Sequence, residues 1–270
     1  MKEFVQMLSP DKLLPFEKHP FQVREDESLK ELMESIRCYG VLSPLLARPK
    51  GEGYELVSGH RRRLAAQKLG LKAVPVLVRE MSDDEAVILM VDSNLQREHL
   101  LPSEKAFAYK MKLEALKRKA GRPKKNQLQV TTNFDTASVI GSQTGESRDQ
   151  VFRYIRLTNL VPPLLKLVDE GRIAFSPAVE LSYLKPDEQT LLLDAMDSEQ
   201  ATPSLSQAQR LKKFSQEGRL SIDVMRAIMS EEKKSDLDRV TLSSEKLSKY
   251  FPKSWTPAQM ENQIIKLLES

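Results

Sequence analysis

The 270-residue sequence has one cysteine, Cys38, so no intrachain disulfide can form, and the chain suits a reducing compartment. Its three histidines are scattered, and with that cysteine they make no cluster of metal-ligand spacing; a structural zinc is not expected. No apolar run approaches the roughly 20 residues that a membrane-spanning helix needs. The first twenty residues, MKEFVQMLSPDKLLPFEKHP, lack an uninterrupted apolar core and a small-residue cleavage site, so no secretory signal is expected there. These absences point to the cytoplasm. What is present, 40% hydrophobic and 30% charged residues, suits a globular chain of two or three modules.

The net charge of +4 is unevenly spread. The run from Lys117 to Lys125 holds six basic residues and no acid, so the rest of the chain, +4 less six, is net acidic. Such a patch reads equally as a solvated helix end or as a footprint for phosphate backbones.

Ser28 with Glu31 reads as a capping box that opens a helix with Leu29, Leu32, Met33 and Ile36 on one face, and Gly40 is placed to stop it. Strands are predicted at Pro44 to Arg48, Tyr54 to Ser58 and Val74 to Arg79, with a hairpin turn at Gly51-Glu52-Gly53. Between the last two strands lies a helix from His60 to Leu69. Ser82 with Glu85 caps a helix from Asp83 to about Val91, and Pro102 to Lys119 is a long helix. Beyond Asn94–Pro102 the pattern becomes almost entirely helical, which marks a domain boundary. The expected class is α+β: a small mixed α/β N-terminal domain over 1–98, an all-helical domain over 99–230 and a small C-terminal unit over 239–270. The charged stretch 230–240 reads as a linker. In the last unit a short strand, a helix around Ser244 to Tyr250 and a helix from Pro257 to Leu268 are expected. Met260, Ile264, Leu267 and Leu268 make one apolar stripe, which must pack on the body or on a second copy.

Ser58-Gly59-His60-Arg61-Arg62-Arg63 lies where a strand becomes a helix. Free backbone N–H groups and the helix dipole favour an anion there, and arginines grip phosphate through paired donors. Taken alone, the segment reads first as a surface helix that begins with three arginines. Thr136 to Gln143, a turn at Thr144-Gly145-Glu146 and a second helix capped by Ser147 suggest a helix-turn-helix over about 136–157. Val151 and Ile155 face the core with Phe152 beside them. Arg148 lies in the first turn, and Gln150 and Arg153 fall on the opposite side, with the donors that match adenine and guanine edges. A generic helical hairpin with a polar face is the alternative. Gly121-Arg122-Pro123-Lys124 has the form of an AT-hook core, in which Arg122 and Lys124 would enter a minor groove, or of a basic linker.

HPFQVRED with LKELMESIRCYGVLSPLLARP, then LVSGHRRRLAAQKLGLKAVPVLVR, then SNLQREHLLPSEKAFAYKM resemble the three boxes of the ParB N-terminal domain. The likeness continues through Ser147-Arg148, Val151, Ile155-Arg156-Leu157, Val161-Pro162, Asp169 to Ile173 and Ser176 to Ala178, and so covers roughly residues 14 to 185. It implies a ParB/sulfiredoxin-like fold with a CTP pocket, in which CTP and site DNA load a homodimer as a closing clamp. Carried over, Gly59, His60, Arg61 and Arg62 would hold the triphosphate, with Asn94, Gln96 and Arg97 beside it and the turn Gly40 to Pro44 against the base. Asn94 would belong to a magnesium site. Further implications are an inverted-repeat double-stranded DNA site, a partition ATPase as partner, and a place on a nucleoid or plasmid. Two departures argue against hydrolysis: His60 stands for the family's glutamate after the glycine, and Ser93 for the glutamate before Asn94. Serine is a weak substitute for a carboxylate at a magnesium ion. They leave open a transcription or replication regulator with a degenerate pocket. In sulfiredoxin a cysteine follows the loop glycine. Here His60 does, so that redox chemistry is not expected, and Cys38 reads as a small, semi-buried hydrophobe.

Overall fold

Leu56 and Val57 are neighbours on one strand and serve two different cores. Successive strand side chains point to opposite faces of a sheet. Leu56 packs with Leu45, Ala47, Val74, Val76 and Val78, while Val57 meets Ala86, Met90 and Val91 on the other side. The computed structural model describes residues 3–17, 19–97, 100–120, 136–231, 250–252 and 255–268. Residues 1–230 form one compact unit and 231–270 a second.

In the first unit the strands are β1 (Glu3–Leu8), β2 (Leu13–Leu14), β3 (Leu45–Lys50), β4 (Gly53–Ser58) and β5 (Val74–Arg79), in the order β1-β5-β3-β4-β2. The sheet is mixed: β1/β5 and β3/β4 are antiparallel, β3/β5 and β2/β4 parallel. Helices α1 (Glu27–Tyr39) and α2 (His60–Lys68) pack together through Leu29, Ile36 and Ala65. On the Val57 side lie α3 (Asp83–Leu95) and α4 (Pro102–Ala120), joined there through Ala86, Met90 and Ala108. Seven helices follow within the described residues. These are α5 (Thr136–Thr144), α6 (Arg148–Arg156), α7 (Pro162–Asp169), α8 (Phe175–Leu181), α9 (Pro186–Ser198), α10 (Leu205–Gln216) and α11 (Ile222–Met229). Leu157, Leu164, Leu181, Leu192, Leu211 and Met225 are buried together at their centre. The mixed α/β domain followed by helices is the expected class.

Several local expectations change. β1 and β2 were not anticipated. Phe4, Val5 and Met7 are all exposed on an edge strand, so no alternation marks it, and pairing with β5 makes it a strand. Asp26, not Ser28, caps α1: its carboxylate accepts from the Leu29 N–H at 2.9 Å. α3 runs on to Leu95, carrying Asn94 into its last turn. Cys38 is exposed rather than semi-buried, its thiol 3.8 Å from Glu34 Oε1. In the second unit the described helix is α12 (Pro257–Leu268), on which Met260 and Ile264 are half-buried and Leu267 exposed. The expected linker beyond Glu231, the strand, and the helix before Tyr250 lie outside the described residues.

Candidate functional site

β4 turns into α2 at Gly59, whose φ of 103° is open to glycine at little cost. A Cβ there would lie 2.9 Å from Leu45 Cγ. Gly59 offers no side chain to cap α2, so the first helical N–H groups, beginning at His60, are left for another acceptor. The three arginines then diverge. Arg61 donates to Asp26 Oδ1 at 2.8 Å and Ser28 Oγ at 2.6 Å, which explains why Ser28 is not the cap of α1. Arg62 donates to the backbone oxygens of Ser43 and Pro44, at 3.0 Å for the latter, and Arg63 to Pro10 O at 3.1 Å. Arg62 and Arg97 are both partly desolvated, which pulls their guanidinium pKa values below the ordinary range; Arg61 adds to the effect at Arg97.

An open cleft of about 340 Å³ lies beside this loop. Pro44, Leu46 and Leu89 make its apolar wall, and Ser58, Arg62 and Gln96 its polar side, with Asp92 and Ser93 at the α3 rim. Of the anticipated residues, Arg62 and Gln96 meet here. The signal that pointed to Ser93 was its place in the third box, whereas Leu46, Ser58 and Leu89 carried none, since each reads as ordinary strand or helix. Arg97 is not part of the cleft lining; it lies 6.0 Å over the Phe21 ring, near enough to Arg61 and His60 to act on them by charge.

The His60 ring turns away from the cleft onto His19, with centroids 4.0 Å apart. Burial, then the charges of His19, Arg63 and Arg97, lower its pKa to about 3. His19 is also lowered, mainly by burial, and its Nδ1 lies 2.7 Å from Phe21 O. Both Nε2 atoms are buried without a hydrogen-bond partner. His60 is therefore neutral at pH 7, and at a phosphate it offers its backbone N–H and not a cation.

Magnesium prefers several hard oxygen ligands. The buried Asn94 Oδ1 has no partner, but Asn94 Nδ2 is fixed to Met90 O at 2.7 Å, Ser93 Oγ is 2.9 Å from the same oxygen, and the Asp92 carboxylate is paired with Lys112. One neutral oxygen does not make a protein-held magnesium site, and among the described residues no cluster of three His, Cys, Asp or Glu could hold a metal. The residues present fit a phosphate ligand better than they fit the ion.

The second region is the α5–α6 pair. A Cβ at Gly141 would stand 2.4 Å from Glu146 O, so α5 can meet the turn only through glycine, and Gly145 has a φ of 72°. Ser147 Oγ accepts from the Gln150 N–H at 3.2 Å. Glu146 accepts from Lys105 Nζ and from the Tyr109 hydroxyl, each at 2.9 Å, and so ties the turn to α4. Val151 is buried with Tyr109, Ala137 and Ile140. Phe152 does not join the core: it is 38% exposed, with the Arg148 guanidinium 5.2 Å over its ring. Gln150 and Arg153 share the outer face, 3.3 Å apart, and Arg153 reaches Ser176 Oγ on α8 at 2.9 Å. Arg122 and Lys124 lie outside the described residues.

Residues 1–95 match the ParB N-terminal domain family. The chain thus carries a ParB-like N-terminal domain. A probable chromosome 1-partitioning protein ParB from Deinococcus radiodurans is 38% identical over 174 residues, which are 64% of this chain and 54% of that one. The chain thus spans little more than half the length of this curated relative. Two solved structures of C-terminally truncated ParB from Caulobacter crescentus are also similar. The one complexed to the centromeric parS site is 24% identical over 83% of this chain and 98% of that one, with a TM-score of 0.44. The one complexed with CTP-gamma-S is 29% identical over 70% and 96%, with a TM-score of 0.33.

Proposed function

We propose that this protein is a partition-type DNA-binding protein that reads an inverted-repeat double-stranded site as a homodimer and takes CTP in its N-terminal cleft. The observation that carries the reading is Arg62, which lines the cleft, is partly desolvated and has no described carboxylate partner. A cation left so beside an uncapped helix start favours an anionic ligand. The apolar wall of Pro44, Leu46 and Leu89 suits a flat base, and Gln96 offers a donor and an acceptor to its edge. On the DNA side, Gln150 and Arg153 lie on the open face of a capped second helix, as base-edge readers do. A two-fold protein reads a two-fold site, and a partition ATPase is the partner that the likeness to ParB suggests.

A second reading is a site-specific regulator whose pocket no longer takes nucleotide. The neutral, inward-turned His60 and the Ser93 hydroxyl engaged with Met90 O favour it. Isothermal titration of CTP, with ATP and GTP as controls, in magnesium buffer and with or without a parS duplex, separates the two. The partition reading expects CTP-selective binding and retention of the duplex over a scrambled one. Duplex binding with no heat from any nucleotide would leave the regulator.

A further inference from the structure

A groove of about 540 Å³ lies between α7 and α9, larger than the N-terminal cleft. Leu164, Val168, Leu192 and Ala195 of these helices are buried in the core, whereas Leu167 and Leu193 beside them are half-buried and, with Met196, floor the groove. The two sides differ in charge. Asp194 and Asp197, three residues apart on α9, are both exposed, and no ion pair engages either carboxylate among the described residues. On the α7 side Lys166 is taken by Glu170 at 3.7 Å, which leaves Arg172 as the lining cation without a described carboxylate. Two unpaired carboxylates thus stand against one guanidinium. The end of α9 adds a second observation. α7 and α10 close on left-handed glycines, Gly171 with a φ of 72° and Gly218 with a φ of 69°. At the same position after α9 stands Gln200, with a φ of 48°, the one non-glycine residue of positive φ among the described residues. A side chain costs energy there. This one lines the groove, its Nε2 donating to Asp197 O at 2.6 Å and its Oε1 without a described donor.

We propose that the α7–α9 groove docks a short segment of a partner protein that carries an apolar anchor beside a basic residue. The anchor, a Leu, Met or Phe side chain, sits on Leu167, Leu193 and Met196 and removes their exposed surface from water. The basic side chain reaches Asp194 and Asp197, which offer it charge-assisted hydrogen bonds. Gln200 Oε1 accepts a backbone N–H of the segment, which gives a reason for a side chain kept at a strained position. Charge complementarity selects this occupant: the unpaired carboxylates repel phosphate and acidic peptides and attract a basic one. None of the lining residues belongs to the N-terminal cleft or to the Gln150–Arg153 face. The surface is therefore separate from both, and the inference stands whichever reading of those sites holds.

The test selects phage-displayed random dodecapeptides on the full chain and titrates the enriched sequences, as synthetic peptides, into wild type and two variants. One variant combines Asp194→Asn with Asp197→Asn, and the other is Gln200→Gly. All three positions are exposed, so neither variant endangers the fold. The enriched peptides should place Leu, Met or Phe beside Lys or Arg. The double amide variant keeps the shape and removes the charge, and affinity should fall about tenfold or more, the scale of lost hydrogen bonds to charged groups. Gln200→Gly should melt at a higher temperature, because the strain is gone, and yet bind the peptides more weakly. Peptide binding should persist in the presence of CTP and of the parS duplex. Unchanged affinity in either variant overturns the inference. So does a selection that enriches nothing or only acidic peptides, and so does displacement of the peptides by the duplex, which would put them on the DNA-reading face.

Discussion

His60 opens α2 at the strand-to-helix loop, yet its side chain belongs to the protein interior. Its ring is packed on His19 and held neutral, with a pKa of about 3, whereas an unfolded histidine takes its proton near 6.5. As pH falls below 6.5 the unfolded chain binds that proton and the folded chain does not. Stability therefore drops by roughly 1.4 kcal/mol per pH unit for this one group, until the pH nears the folded value. His19 is lowered too and adds in the same direction. Asp26, Glu55, Asp83 and Glu85 all have lowered pKa values, so their contributions are lost only below the ordinary carboxylate values of 3.8 and 4.5. The window from pH 6.5 to 4.5 thus isolates the histidines. Urea midpoints of wild type and His60→Gln across that window should show a steep wild-type slope and a clearly shallower one in the variant. Parallel slopes would mean that His60 is not held neutral.

At the scale of elements, the α5–α6 corner is set by two glycines that act for different reasons. At Gly141 the obstacle is the Glu146 backbone oxygen, 2.4 Å from where a Cβ would lie. At Gly145 there is open space, and only the positive φ resists a side chain. Gly141→Ala should cost on the order of 2–3 kcal/mol and weaken duplex binding, since the helices must move apart. Gly145→Ala should cost about 1 kcal/mol and leave duplex binding nearly intact. Thermal melts and duplex titrations of both variants check this, and equal losses would rule out the close approach as the cause. Elements whose signals are local were legible in the sequence. The Ser82–Glu85 capping box of α3, the strand β5 and the Ser147 cap of α6 depend on residues within a few positions of one another. The start of α1 was not, because Ser28 bonds Arg61, 33 residues on. β1 was not either, since its strand character lies in the register with β5.

For the whole molecule, the open question is assembly. Ile265 and Leu267 on α12 are exposed and apolar. If this helix joins two copies, as the two-fold reading of DNA requires, sedimentation should give a dimer for wild type. A monomer is expected for Ile265→Glu with Leu267→Glu, with CTP affinity retained. A double variant that stays dimeric would move the dimer interface elsewhere, and a wild-type monomer would remove the two-fold reading. No helix among the described residues is long and apolar enough to cross a membrane.

The sequence by itself determined the class of fold, the strand-to-helix loop at Gly59 and the capped second helix of the helix-turn-helix. Each of these follows from backbone preferences and side chains close together along the chain. Only the tertiary structure decided which of the loop residues face the cleft. Arg62 does; His60 is drawn into the interior by the His19 ring; Asn94 is fixed by its bond to Met90 O. It also decided that Phe152 lies outside the core, under Arg148, and that Lys112 is a buried link between Asp92 and Gln143. A lysine on an amphipathic helix reads as a solvated charge until the partners that bury it, 20 residues before it and 31 after, are folded around it.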